Sequence, residues 1–75
     1  MENNEMRTLY HIVPKNDGYT FLCQNNTRMF LVRKEVLTHS DELVFEDSIE
    51  AEKFIEENHL NEYKVEAFLR RDDNA

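Results

Sequence analysis

The stretch EDSIEAEKFIEENHLNEYKV, residues 46 to 65, restricts the fold more than any other part of the chain. Asp47, followed three residues later by Glu50, makes a capping-box pattern at a helix start. Ala51, Phe54 and Ile55 recur at helical spacing and give one narrow apolar stripe. The expected stop places His59 at the left-handed C′ position and Leu60 at C″, turned back toward Ile55 as in a Schellman motif. A helix this short is marginal alone in water. Its stripe needs a partner, and the rest of the chain must supply a sheet.

Five stretches read as strands. TLYHIV (8–13) is rich in β-branched and aromatic residues, and PKNDG (14–18) ends it, with Asp17-Gly18 favouring a tight reversal. YTFLCQ (19–24) and TRMFLV (27–32) flank Asn25-Asn26, the expected two-residue hairpin loop. In that register Leu22 faces Met29 and Phe21 faces Phe30. Tyr19, Phe21, Cys23, Phe30 and Val32 then share one side, with Arg28 at its end. Leu22, Met29 and Leu31 share the other with Thr20. Both sides are apolar, so both need cover. One meets the helix; the other is left to Val36 and Leu37, to the chain ends, or to a second copy. RKEVLTHSDE (33–42) reads as a helical turn and a loop, and LVF (43–45) as a short strand entering the helix. EYKVEAFLR (62–70) is the last strand, with Tyr63, Val65, Ala67 and Leu69 facing inward and Phe68 as the exception. The expected fold is α+β: an antiparallel sheet of four to five strands with one main amphipathic helix packed on one face. The 75 residues make a single small domain, with 1–6 and 72–75 expected to fray.

Charge is uneven along the chain. Residues 1–40 carry five bases against four acids, and residues 41–75 carry four against twelve. That balance opposes direct binding of nucleic acid, which draws its affinity from a basic stripe. Asp41, Glu42, Glu46, Glu50, Glu52, Glu56 and Glu57 are the candidate partner-binding face, with Lys53 within pairing distance of Glu50, Glu56 and Glu57. The plain alternative is a solvated helix face with N-terminal capping. Leu22, Met29 and Leu31 are the candidate self-association patch.

Little else carries chemistry. His11, His39, His59 and Cys23 show no metal-ligand spacing, so no metal and no cofactor is expected. Cys23 reads as a small buried hydrophobe, with His11 placed to meet it across neighbouring strands. His39 near Asp41 could be a base and its orienter, but THSD reads more simply as turn chemistry. Tyr10, Tyr19, Phe21 and Phe30 could stack bases, yet core packing explains them better. The lone cysteine, with no signal-like start and no long apolar run, leads to the expectation of a cytoplasmic protein without a membrane segment. YHIVPKNDGY followed by an acidic helix resembles small bacterial or phage proteins, and the resemblance is too short to imply a role.

The expected function is therefore non-enzymatic: a small acidic protein-binding module, accessory or regulatory, with homodimerisation through the second sheet face. The alternative is a phage-type inhibitor whose acidic helix face mimics nucleic-acid charge and blocks a nucleic-acid-binding protein. A third reading, a ligand-binding or catalytic pocket between helix and sheet, requires a concavity of at least about 300 Å³ lined by convergent polar groups.

Overall fold

A computed structural model describes residues 6–36 and 38–71. The elements are β1 (Met6–Pro14), β2 (Thr20–Asn25), β3 (Arg28–Arg33), β4 (Val44–Phe45), α1 (Ser48–Glu57) and β5 (Tyr63–Arg71). The class is α+β, as expected. Of the ends expected to fray, residues 1–5 and 72–75 lie outside the described residues. Met6 does not belong with them: it opens β1 opposite Arg71.

The strands divide into two antiparallel sheets, β4-β1-β5 and β2-β3, rather than forming a single sheet. The division comes from the stretch just before α1. Gln24 N–H donates to the Asp41 carbonyl at 2.8 Å, Leu43 N–H donates to the Leu22 carbonyl at 3.3 Å, and Cys23 bridges Glu42. One residue further on, the same backbone leaves β2 and pairs with β1, Val44 with His11 and Phe45 with Tyr10. A stretch shared in this way bends the hairpin toward β1, and Phe21 of β2 reaches the His11 ring at 5.6 Å.

Residues directly opposite one another in an antiparallel pair share a face. His11 with Glu66, Leu9 with Phe68 and Val13 with Lys64 therefore point to the hairpin side of β1 and β5. Val13, Phe21 and Cys23 form the buried cluster on that side, with Phe30 and Val32 packed against it. Tyr10, Ile12 and Val65 point to the opposite side, as does Phe45, whose ring lies 5.7 Å from Phe54 of α1. The helix thus covers one face of the three-stranded sheet, and the hairpin folds over the other. Ile12 and Val13, adjacent in sequence and facing opposite ways, are both fully buried.

The helix follows its sequence signals closely. The Asp47 side chain accepts a 2.8 Å hydrogen bond from Ile49 N–H, which makes it the N-cap. At the other end His59 has φ 55°, His59 N–H donates to Glu56, and Leu60 N–H donates to Ile55 at 2.9 Å. Those are the two hydrogen bonds of a Schellman stop. Ala51 is buried, and Phe54 and Ile55 are half-buried.

Three local expectations need correction. The hairpin loop is Asn26-Thr27, with Asn26 at φ 57°, so Asn25 pairs with Arg28, Phe21 with Val32 and Leu22 with Leu31. Gly18 does not take positive φ, and β1 and β2 are not hairpin partners. Asp17 shapes that link instead, accepting from Tyr19 N–H at 2.7 Å and from the Thr20 hydroxyl at 3.0 Å. In β5 the inward alternation holds only for Tyr63 and Val65, while Ala67 and Leu69 are exposed and Glu66, Phe68 and Arg70 are half-buried on the hairpin side. The cause is length. A helix of ten residues spans about 15 Å, whereas a strand of nine spans about 30 Å, so α1 cannot cover all of β5. Of the expected cover for the second hairpin face, Val36 is exposed and Leu37 lies outside the described residues.

Candidate functional site

Alternation along β1 sets His11 between Leu9 and Val13 on the hairpin side, where a polar side chain is costly unless partnered. Its side chain is only 8 % exposed. Phe68 stacks on it at 4.3 Å and Phe21 at 5.6 Å. Register brings Glu66 directly across from it, and His11 Nε2 lies 2.8 Å from Glu66 Oε1. Glu42 arrives from the shared stretch before β4, with Oε2 3.6 Å from His11 Nδ1. That is too long for a hydrogen bond. Nδ1 is a buried polar atom with no hydrogen-bond partner among the described residues.

Two cations complete the group. Lys34 Nζ, just past β3, lies 2.8 Å from Glu66 Oε1 and 3.0 Å from Oε2. Arg70 Nη2 donates to Glu42 Oε1 at 2.8 Å, and its guanidinium carbon sits 5.0 Å from the Phe68 ring centre. Burial by itself would raise the Glu66 carboxyl, but hydrogen bonds from Lys34 and His11, with the charge they bring, outweigh it and hold the group below its ordinary value of 4.5. An ionised Glu66 can only accept, so the hydrogen between it and His11 sits on Nε2. Nδ1 is then left facing a second carboxylate.

Beside this group opens a concavity of about 380 Å³, lined by His11, Phe21, Lys34, Glu42, Glu66, Phe68, Arg70 and their neighbours. It meets the size and convergent-polar requirement of the pocket reading, although it lies on the hairpin side of the sheet and not under α1. No group of three or more His, Cys, Asp or Glu residues suited to a metal ion occurs among the described residues.

The residues expected to form the acidic face do not stay together. Glu50, Glu52, Glu56 and Glu57 are exposed along α1. Glu46 is exposed and pairs with Arg7 at 2.7 Å. Asp41 is half-buried and accepts from Asn25 at 3.2 Å. Glu42 has to be removed from that face, because its side chain is 5 % exposed and paired with Arg70. Lys53 makes no ion pair among the described residues. Of the self-association patch, Leu22 is buried, Met29 is half-buried and only Leu31 is exposed. Leu22 therefore belongs to the core, not to an open surface.

Cys23 is free and buried, as expected, and burial with help from the Glu42 and Asp41 charges pushes its thiol up to about 11. It pairs with Glu42 rather than with His11 across a neighbouring strand. The His39 ring accepts from the Asp41 backbone N–H at 3.2 Å, a turn contact and not a base held by a carboxylate. Tyr10 faces away from Phe21, and Tyr19 is exposed, so the aromatic residues form no stacking platform. Sequence reading passed over the His11 group. Its one signal was a histidine at a buried parity position of a strand. No helix among the described residues is long and apolar enough to cross a membrane. No family model matches the chain, and neither a curated protein nor a solved structure is significantly similar to it.

Proposed function

We infer that the chain is a non-enzymatic protein-binding module of accessory or regulatory kind, and that its partner meets the outer face of α1 with a basic surface. One observation carries this reading. Glu50, Glu52, Glu56 and Glu57 are exposed and stand outside every ion pair among the described residues, while Arg7, Lys34 and Arg70 are engaged elsewhere. Ile49 adds an apolar anchor. It is 67 % exposed on the same helix, and positions three, four and seven residues on are Glu52, Lys53 and Glu56. An exposed apolar side chain inside a charged rim is the usual anatomy of a protein contact. A partner that normally holds nucleic acid would present the matching positive surface, which is the inhibitor form of the same reading. A two-copy form through the hairpin rests on Met29 and Leu31 alone, since Leu22 is inside.

The test is affinity capture from the native host at low and high salt. The wild-type chain is compared with one carrying Glu52→Gln, Glu56→Gln and Glu57→Gln. A basic protein retained by the wild type, released by salt and absent with the variant supports the reading. Identical capture by both chains removes the acidic face from the function. Sedimentation of the pure protein decides the two-copy form, and a monomer at high concentration ends it.

A further inference from the structure

We propose that the free edge of β5 is the docking surface for a second copy of this chain, bound antiparallel and centred on Phe68, so that two three-stranded sheets become one. β5 is the last strand of its sheet. Lys15 N–H donates to the Glu62 carbonyl at 2.8 Å, which makes that pair a hydrogen-bonded one in the ladder with β1. Alternation then makes Val13–Lys64, His11–Glu66, Leu9–Phe68 and Arg7–Arg70 the other bonded pairs. Val65, Ala67 and Leu69 therefore turn their N–H and C=O groups away from β1, and no hydrogen bond among the described residues reaches those groups. Edges are commonly blunted by proline, by a bulge or by a covering segment. The nine residues of β5 hold no proline and pair with β1 in unbroken register. The outer edge of β2, by contrast, is closed by Asp41 and Leu43. β3 offers a shorter edge, and Val36 N–H already takes its Arg33 carbonyl at 3.0 Å.

The strand is complementary to itself in one register. Centred on Phe68, antiparallel pairing sets Glu66 opposite Arg70 of the second copy, Arg70 opposite its Glu66, and Ala67 opposite its Leu69. Centred on Ala67, Lys64 would meet Arg70; centred on Glu66, two carboxylates would meet. Like charges directly opposite are destabilising. Centres nearer either end shorten the pairing: on Val65, Leu69 falls opposite Asn61, beyond the strand. Glu66 and Arg70 already have partners in their own chain, Lys34 and Glu42, so they select the register, while backbone and apolar groups hold it. Leu69 is 62 % exposed, and Ala67 is exposed beside it on the face that α1 is too short to cover. In this register each Leu69 lies against the other copy's Ala67, and apolar surface that one chain leaves open is buried by two. On the hairpin side the half-buried Phe68 meets its own equivalent at a non-bonded pair, where side chains approach most closely. The contact uses neither Met29 and Leu31 nor the acids of α1, so it stands or falls apart from the acidic-face reading.

The experiment is sedimentation of the full chain from about 1 μM to about 1 mM. Salt at about 0.15 M screens the net charge of the two copies. The expected result is a monomer–dimer equilibrium. Leu69→Lys changes a side chain that is exposed in the single copy, so its circular dichroism should match the wild type while its dimer dissociation constant rises at least about tenfold. Leu31→Lys, on β3, should leave that constant unchanged. Cross-linking reads the register. Opposite residues of a bonded pair lie about 5.5 Å apart between Cα atoms, a separation that suits a disulfide. A chain with Ala67→Cys mixed with one carrying Leu69→Cys should therefore form a mixed disulfide under mild oxidation, and Ala67→Cys alone should not. Cys23 is buried and does not compete. A monomer at every concentration, a dimer untouched by Leu69→Lys, a dimer broken by Leu31→Lys, or cross-linking of Ala67→Cys to itself would each overturn the proposal.

Discussion

Glu66 sits where two demands meet. It accepts from His11 and from Lys34, and it is about one-third exposed. Its folded-state pKa is depressed, so the stability it contributes is present above its ordinary value of 4.5 and is lost as pH falls through the lower, folded value. Glu66→Gln should therefore destabilise the chain at pH 7. The difference from wild type should shrink below about pH 4.5. Urea unfolding at pH 7, 5, 4 and 3 reads this directly, and a difference that stays constant down to pH 3 would remove the ion pair from the account. His11 was legible as a histidine on a strand, but its burial was not read from the sequence. Nor were its partners. Glu42 and Lys34 lie in the aperiodic run 33–42, where spacing carries no information about direction, and the Arg70 contact depends on where the hairpin folds.

Elements with local signals were readable, and those whose ends depend on distant contacts were not. α1 was bounded on both sides by chemistry within a few residues of its ends, Asp47 at the start and His59 with Leu60 at the stop. The hairpin shows why a wrong loop can leave a right face. Moving a two-residue loop from Asn25-Asn26 to Asn26-Thr27 shifts each cross-strand partner by two positions, and strand faces repeat every two residues. Phe21, Cys23, Phe30 and Val32 therefore stayed together although every pair changed. β5 misled because its inward side depends on how far α1 reaches. His59 offers the test at this scale. A left-handed backbone strains a residue with a Cβ, so His59→Gly should raise stability by up to about 1 kcal/mol. His59→Val should lower it, because a branched side chain fits that backbone worse. Thermal unfolding of the pair decides it, and a stabilising valine would mean that the stop is not what holds residue 59.

At the scale of the whole molecule, the chain separates its charges by depth. Several of its cations are spent on specific carboxylates: Lys34 and Arg70 in the hollow, where exposure is about one-third, and Arg7 on Glu46 at the surface. The acids of α1 are left to repel one another in water, as Glu52 and Glu56 do at four residues apart. Composition announced the imbalance, but not which acids would be neutralised, because that follows from the bend that brings β2 over β1. Salt acts differently on the two groups. Exposed charges farther apart than about 8–10 Å are largely screened at 0.1–0.15 M, and partly buried pairs much less. The exposed pairs Arg7–Glu46 and Arg33–Glu35 give salt little stabilisation to remove, since such pairs contribute about 0–1 kcal/mol each. Relief of repulsion along α1 and across a net charge of −7 should therefore win, and the melting temperature should rise between about 20 mM and 0.5 M sodium chloride. The variant with Glu52, Glu56 and Glu57 changed to Gln should start higher at low salt and gain less from added salt. A melting temperature that falls with salt in the wild type would mean that ion pairs, not the uncompensated helix acids, dominate the electrostatics of the fold. The acidic face would then have no excess charge to offer a partner.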